Sequence, residues 1–246
     1  MLKSCLLSLV LLASWLSASA AEPVEPPVVV VGFYDFPPAI YSDIHNQAQG
    51  PMSRLIEKML RRAGYQAQFR PLPSARLYNA LRDGSVHLWA GAPGKEVLAG
   101  HTLESDRVLT STLLNLYYRW DHPKPRLPED LAGSHIILIS GYTYWPKTNK
   151  LLDDQQLNLR LHRTSSHTAA LQMLERGRGD FLINYATPVN QAAHDLGLPP
   201  VPSVPLEELQ IRYIISRHAP DAERLLQALD RVYDEMQAAG ESFDLL

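Results

Sequence analysis

The feature that most constrains this chain is an alternation of β-branched or aromatic runs with short amphipathic runs, gone through twice along its length. Four valines at 28–31 read as a buried strand that leads into a loop over 32–42. Residues 53–62 (SRLIEKMLRR) place Leu55, Ile56, Met59 and Leu60 at helical spacing, with Ser53 as the N-cap and Gly64 as the stop. An extended stretch over 66–71, a helix over 75–82 closed by Asp83 and Gly84, and a strand over 85–90 ending at Gly91 complete a βαβαβ unit. That order calls for a parallel sheet with crossover helices, because parallel neighbours cannot be joined by a tight turn.

A second unit follows the same grammar. Strands are expected over 113–119, 134–139 and 181–184, with a helix over 169–176. Proline-rich segments at 121–128 and 199–205 read as connectors. A strand over 210–216 and an amphipathic helix over 220–240 close the chain, with Leu225, Leu226, Leu229, Val232, Tyr233 and Met236 on one face. The economical organisation is two α/β lobes joined by two proline-rich crossings. Residues 21–118 and 210–246 form the first lobe and 119–209 the second. One larger α/β domain is the alternative at this length.

Residues 1–20 stand outside both units. Lys3 supplies a short basic start, 5–16 is a continuous apolar run, and Ala18-Ser19-Ala20 offers small residues before Ala21. This is the pattern of a secretory signal peptide. The apolar run is shorter than the roughly 20 residues a membrane span needs, and no lipobox cysteine sits near the cut. A retained signal anchor is the competing reading. The expected mature protein is exported, soluble and periplasmic. Cys5, the only cysteine, leaves with the leader, so no disulfide is expected and stability must come from the core. The whole chain carries 23 basic and 26 acidic side chains, and only Lys3 lies in the leader. A mildly acidic chain with no basic patch points away from nucleic acid.

Particular residues carry a resemblance. The order strand, Tyr34-Asp35-Phe36-Pro37-Pro38, helix, Ala63-Gly64-Tyr65, helix, Asp83-Gly84, strand ending at Gly91 resembles the bacterial periplasmic solute-binding proteins of family 3. So do 127–133 (LPEDLAG) before a strand, Ser140-Gly141-Tyr142-Thr143 after it, 174–180 (LERGRGD), and the final strand and helix ending in 236–240 (MQAAG). The resemblance covers the chain beyond its leader. It implies a type II periplasmic-binding-protein architecture: two Rossmann-like lobes, two hinge crossings and a small-molecule ligand in the cleft. It also implies a monomer without a cofactor, with an ABC permease or a membrane sensor as partner. A physical rule agrees, since open α/β sheets bind ligands at the carboxyl ends of their strands. The loops after Val31, Gly91, Ile139 and Asn184 lie at such ends.

Departures from the family pattern narrow the ligand. Amino-acid binders of this kind carry an arginine about seven residues after the glycine equivalent to Gly91, in a T-x-x-R pattern, to fork the ligand carboxylate. Here Leu98 holds that place and Lys95 the threonine position. They also carry an aspartate for the ammonium group where this chain has Tyr185, beside Asn184. An ordinary α-amino acid therefore lacks both clamps, and an uncharged or differently charged solute is expected. Candidate ligand contacts are Tyr34, Asp35, Phe36, Gly91, Ala92, Tyr142, Asn184 and Tyr185, with Tyr144 and Trp145 as further rings. The alternative for each ring is a place in the core. Backbone N–H groups of Ser140, Gly141, Tyr142 and Thr143 could hold an anionic group, or form a plain turn. Arg76 is the candidate cation of the first lobe, with Lys95 second, although Arg76 also reads as a solvated helix residue.

Enzymatic and metal signals are thin. His162 and His167 do not have the i, i+4 spacing of a helical metal pair. Asp153 and Asp154 lie in a polar stretch, and no G-x-S-x-G elbow occurs. The enzymatic alternative is a lyase or dehydratase with Asp35 or Glu104 as general acid or base.

Overall fold

A computed structural model describes residues 25–243 and Leu245. The expected leader lies outside the described residues. Strands β1 (Val28–Phe33), β2 (Tyr41–Ser42) and β3 (Ala48–Gln49) precede α1 (Pro51–Arg62). β4 (Gln66–Pro71), α2 (Ser74–Asp83), β5 (Leu88–Gly91), β6 (Thr102–Glu104) and β7 (Thr110–Tyr117) follow. Then come β8 (His135–Ile139), α3 (Pro146–Leu152), β9 (Arg160–Thr164), α4 (His167–Glu175), β10 (Phe181–Tyr185) and α5 (Ala186–Asp195). β11 (Ser203–Ser216) and α6 (Ala222–Ala238) complete the chain.

Two sheet regions share one long strand. β1 runs parallel to both β4 and β5, and β5 meets β11 in antiparallel register through Leu88–Gly91. In the other region β8 lies parallel to β9 and β10, and β7 lies antiparallel to β10 and β11. β11 serves both: Arg212 to Ile215 pair with β5, while Ser203 to Ile211 pair with β7. The expected α/β class with two Rossmann-like halves is what the chain adopts.

The crossings differ from expectation. The halves are joined through the antiparallel β7–β11 ribbon, not through the proline-rich segments. Leu127 packs against the core cluster of Leu114, Leu131 and Ile136, so the segment 121–128 belongs to the second half. Residues 203–205 of the other segment are already part of β11. A paired ribbon keeps its backbone groups hydrogen-bonded while it passes between cores, which a proline-rich coil cannot do.

Each half has its own core. Val31, Leu60, Ile215 and Leu229 lie in the first, whereas Leu116, Ile136 and Ile183 lie in the second. Burying such a side chain stabilises the fold by about 1.5–3 kcal/mol. Helix α1 starts two residues earlier than expected because Pro51 presets the first helical φ. Gly50 takes the N-cap at φ 102°, and a Cβ there would lie 2.3 Å from the Ala39 carbonyl oxygen. Ser53 is not the cap. It sits buried in the first turn, and its hydroxyl donates to the Gly50 carbonyl at 2.9 Å.

Candidate ligand-binding site

The carboxyl ends of β1, β5 and β10, from both halves, converge on a cavity of about 60 Å³. β1 leads directly to Tyr34 and Phe36, β5 ends on Gly91 just before Ala92, and β10 ends on Tyr185. All five residues line the cavity. The β7–β11 ribbon supplies the back wall through Thr110, Thr112, Leu209 and Ile211. Helix α1 turns Met52 and Ile56 toward it, and Trp89 and Trp145 complete the wall. Gly91 has to be glycine, since a Cβ there would lie 2.0 Å from the Trp89 indole. Among the described residues, no Asp, Glu, Lys, Arg or His belongs to the lining.

The rings form a continuous cluster across the boundary. Tyr34 lies 5.3 Å from Tyr142, and Phe36 lies 5.3 Å from Tyr185, both tilted. Tilted aromatic pairs of this kind add roughly 0.5–1.5 kcal/mol beyond their buried area. Burial pushes the phenols of Tyr34, Tyr142 and Tyr185 well above their ordinary range, so all three stay neutral.

Around the cavity runs a polar seam that closes the halves on each other. The Tyr142 hydroxyl donates to the Asp35 carbonyl oxygen at 2.8 Å. The Ser74 hydroxyl donates to the Gly141 carbonyl, and the Trp145 indole N–H donates to the Pro93 carbonyl at 3.1 Å. Lys95 is the centre of this seam. Its side chain is buried, and Nζ donates to the Thr143 carbonyl, the Thr143 hydroxyl and the Tyr144 carbonyl at 2.9, 3.2 and 3.2 Å. The ammonium also sits 3.2 Å from the centroid of the Trp145 ring. Desolvation pulls its pKa down to about 7, and the carboxylate of Glu207 pulls the other way.

Behind Tyr142 lies a buried chain of hydrogen bonds. The Asn184 amide donates to His167 Nδ1 at 3.0 Å, and Asn184 Oδ1 accepts from the Tyr185 N–H at 2.9 Å. His167 Nε2 is then the protonated nitrogen, 3.1 Å from the Tyr142 hydroxyl oxygen. Burial lowers the His167 pKa to about 4, opposed by the Asn184 hydrogen bond and the charge of Asp35. The histidine is neutral.

The expected contacts thus divide. Tyr34, Phe36, Gly91, Ala92 and Tyr185 line the cavity, and Tyr142 and Asn184 stand behind it. Asp35 is exposed, its carboxylate accepting the Ser42 N–H at 2.8 Å. Lys95 and Thr143 belong to the seam. Arg76 is exposed on α2 and lies outside the cavity lining, because this helix turns Leu77 and Tyr78 inward instead. Two of the N–H groups expected to hold an anion over 140–143 are already used, while Ser140, Gly141 and Tyr142 line a second cavity of about 320 Å³ with Tyr34 and Asp35. The Ser140 N–H donates to the Thr164 carbonyl and the Tyr142 N–H to the Ile139 carbonyl. Leu98, at the family's arginine place, is packed in the core with Leu77, Leu81 and Trp89. His162 stacks on His135 while His167 faces Asn184, so those two histidines do not meet. Sequence reasoning missed Trp89, Met52 and Thr112. The hydroxyl triplet at 110–112 ahead of an apolar run was the available signal.

No known family model matches the chain, and no curated protein matches it. Solved structures do. A putative L-cystine ABC transporter protein from Listeria monocytogenes shares 19% identity at TM-score 0.72, over 87% of this chain and 92% of that one. A histidine kinase sensor domain with similarity to periplasmic binding proteins shares 20% identity at TM-score 0.70, over 87% and 92%. An ancestral amino acid-binding protein, a precursor of cyclohexadienyl dehydratase, shares 16% at TM-score 0.67, over 88% and 92%. At these identities the likeness is one of fold, and the fold is that of the type II periplasmic binding proteins.

Proposed function

We propose that this protein captures a small polar or aromatic solute between two lobes in the periplasm and presents it to a membrane permease or a sensor. The lobes are taken as residues 21–118 with 210–246, and residues 119–209, with Leu114 and Leu116 of the β7 crossing packing into the second core. The observation that carries this reading is the cavity itself. It lies at the carboxyl ends of strands from both halves and takes a wall from each, which is where α/β sheets hold ligands. The similar structures include one named for an ABC transporter and one sensor domain, which supports either kind of partner. A lyase on this scaffold needs an acid or base at the ligand. Asp35 and Glu104 are both exposed and outside the cavity lining, and Glu104 accepts the Gly94 N–H. Binding is the better reading.

A thermal-shift screen over amino acids, polyamines, sugars and aromatic compounds tests it. A true ligand at a hundredfold excess over Kd adds about 2.7 kcal/mol to stability. A screen that moves the melting temperature with no solute overturns the proposal. Export is checked separately by intact mass, with the mature chain expected to begin at Ala21.

A further inference from the structure

The cavity has, among the described residues, no charge of either sign in its wall. An ion entering it gives up its hydration and meets no counter-ion, which is the costliest way to bury a charge. The nearby ammonium of Lys95 does not rescue an anion. Its three donors face three oxygen acceptors of the 143–144 segment, and it is not part of the lining. Nor does the aromatic wall suit a cation. The Lys95 amine already stands over the ring of Trp145 and occupies that face of the indole.

The wall does offer ring surface and one unmet hydrogen bond. Phe36, Trp89 and Tyr185 present aromatic surface, and Met52 supplies a flexible thioether that fills irregular gaps. Thr112 is 6% exposed, and its hydroxyl oxygen has no hydrogen-bond partner among the described residues. Buried hydroxyls are almost always partnered, and this one, closed to water in the wall, is met by a ligand group only as the wall yields. We propose that the cavity takes an uncharged molecule with a single aromatic ring and one hydrogen-bonding group. The ring sits among Phe36, Trp89 and Tyr185, and the polar group meets the Thr112 hydroxyl. This rests on the solute-binding reading above and narrows it to one chemical class. The volume of about 60 Å³ sets the size limit. A void of roughly 150 Å³ admits benzene in an engineered protein core, so even one ring enters only as the seam parts.

The test is a matched set of probes on the mature protein at pH 7: benzyl alcohol, benzoate, benzylammonium and L-phenylalanine. Calorimetry gives the affinities, and the fluorescence of Trp89 and Trp145 reports entry. Benzyl alcohol is expected to bind at least about tenfold tighter than each charged analogue. Thr112→Val is expected to weaken benzyl alcohol about threefold or more while toluene stays within twofold, and Thr112→Ser to restore the loss. Equal or tighter binding of any charged analogue overturns the proposal, as does failure of both benzyl alcohol and toluene to bind. If a solute of another class then raises the melting temperature, the ring proposal falls and the solute-binding reading stands. If none does, both fall.

Discussion

Two zones of the boundary between the halves are built on opposite principles. In the seam every donor of Lys95 has an oxygen to face, and Tyr142, Ser74 and Trp145 each reach a carbonyl across the boundary. A few residues away the cavity has a wall without charge and a threonine hydroxyl without a partner. The seam satisfies itself and the cavity does not. Closure therefore draws its polar contacts from the protein, and the solute is left to be chosen by shape and ring surface. Where a charged ligand bridges two lobes, holding and selecting are one event. Here they occupy different residues.

The largest test of that division is on the seam side. The pKa of Lys95 lies near 7 in the folded chain, against the usual lysine range near 10.5 when unfolded. The folded state gives up this proton first, so stability rises with pH between those values and is lower below pH 7. Roughly 3 kcal/mol of rise is expected between pH 7 and 9.5 from this group. Denaturant melts of the parent and Lys95→Met across that window measure it. A slope that survives Lys95→Met breaks the assignment of the seam's buried charge to this residue.

A smaller effect of the same sign belongs to His167. Its pKa falls to about 4 in the fold, so its contribution is complete above about pH 6.5 and is lost as pH drops toward 4. Roughly 2 kcal/mol is expected to go between pH 6.5 and 4.5. His167→Gln should flatten that acid limb, and melting curves at the two pH values show whether it does. An unchanged acid limb would mean that the chain from Asn184 through His167 to Tyr142 does not hold the histidine neutral.

The smallest expected effect sharpens the comparison from outside. Arg76 belongs to neither zone, so Arg76→Ala should change stability by no more than about 0.5 kcal/mol and leave solute affinity untouched. A tenfold loss of affinity in that variant would return a cation to the site and undo the charge-free reading of the cavity.

Much of this was legible in the residues, for reasons that differ by element. The valine block before Gly32 and the apolar stripe of α1 announce themselves by period, because one face of each meets a core. β9 was missed because its residues, RLHRT, are largely exposed at a sheet edge and carry no apolar alternation. α5 was missed because Pro188 and a run of small residues hide its pattern, although proline is tolerated in a first helical turn. In the site, Tyr34, Phe36, Gly91, Ala92 and Tyr185 followed from the rule about strand ends. The burial of Lys95 and the unpartnered Thr112 hydroxyl did not. Both depend on neighbours that only the folded chain brings together, the acceptors of Lys95 lying 48 and 49 positions further on.

The strand shared by the two sheets also bears on the order of folding. β5 ends at Gly91, but its antiparallel neighbour in β11 begins at Arg212. The first half therefore has an unfinished sheet edge until the whole second half has been made. Contacts so distant along the chain fold slowly, because loop closure comes before they return anything. The first half cannot complete its sheet alone. A substitution that delays the second core, such as one at Ile136 or Ile183, should therefore leave the first half exposed to proteases and to aggregation, although it touches no residue there.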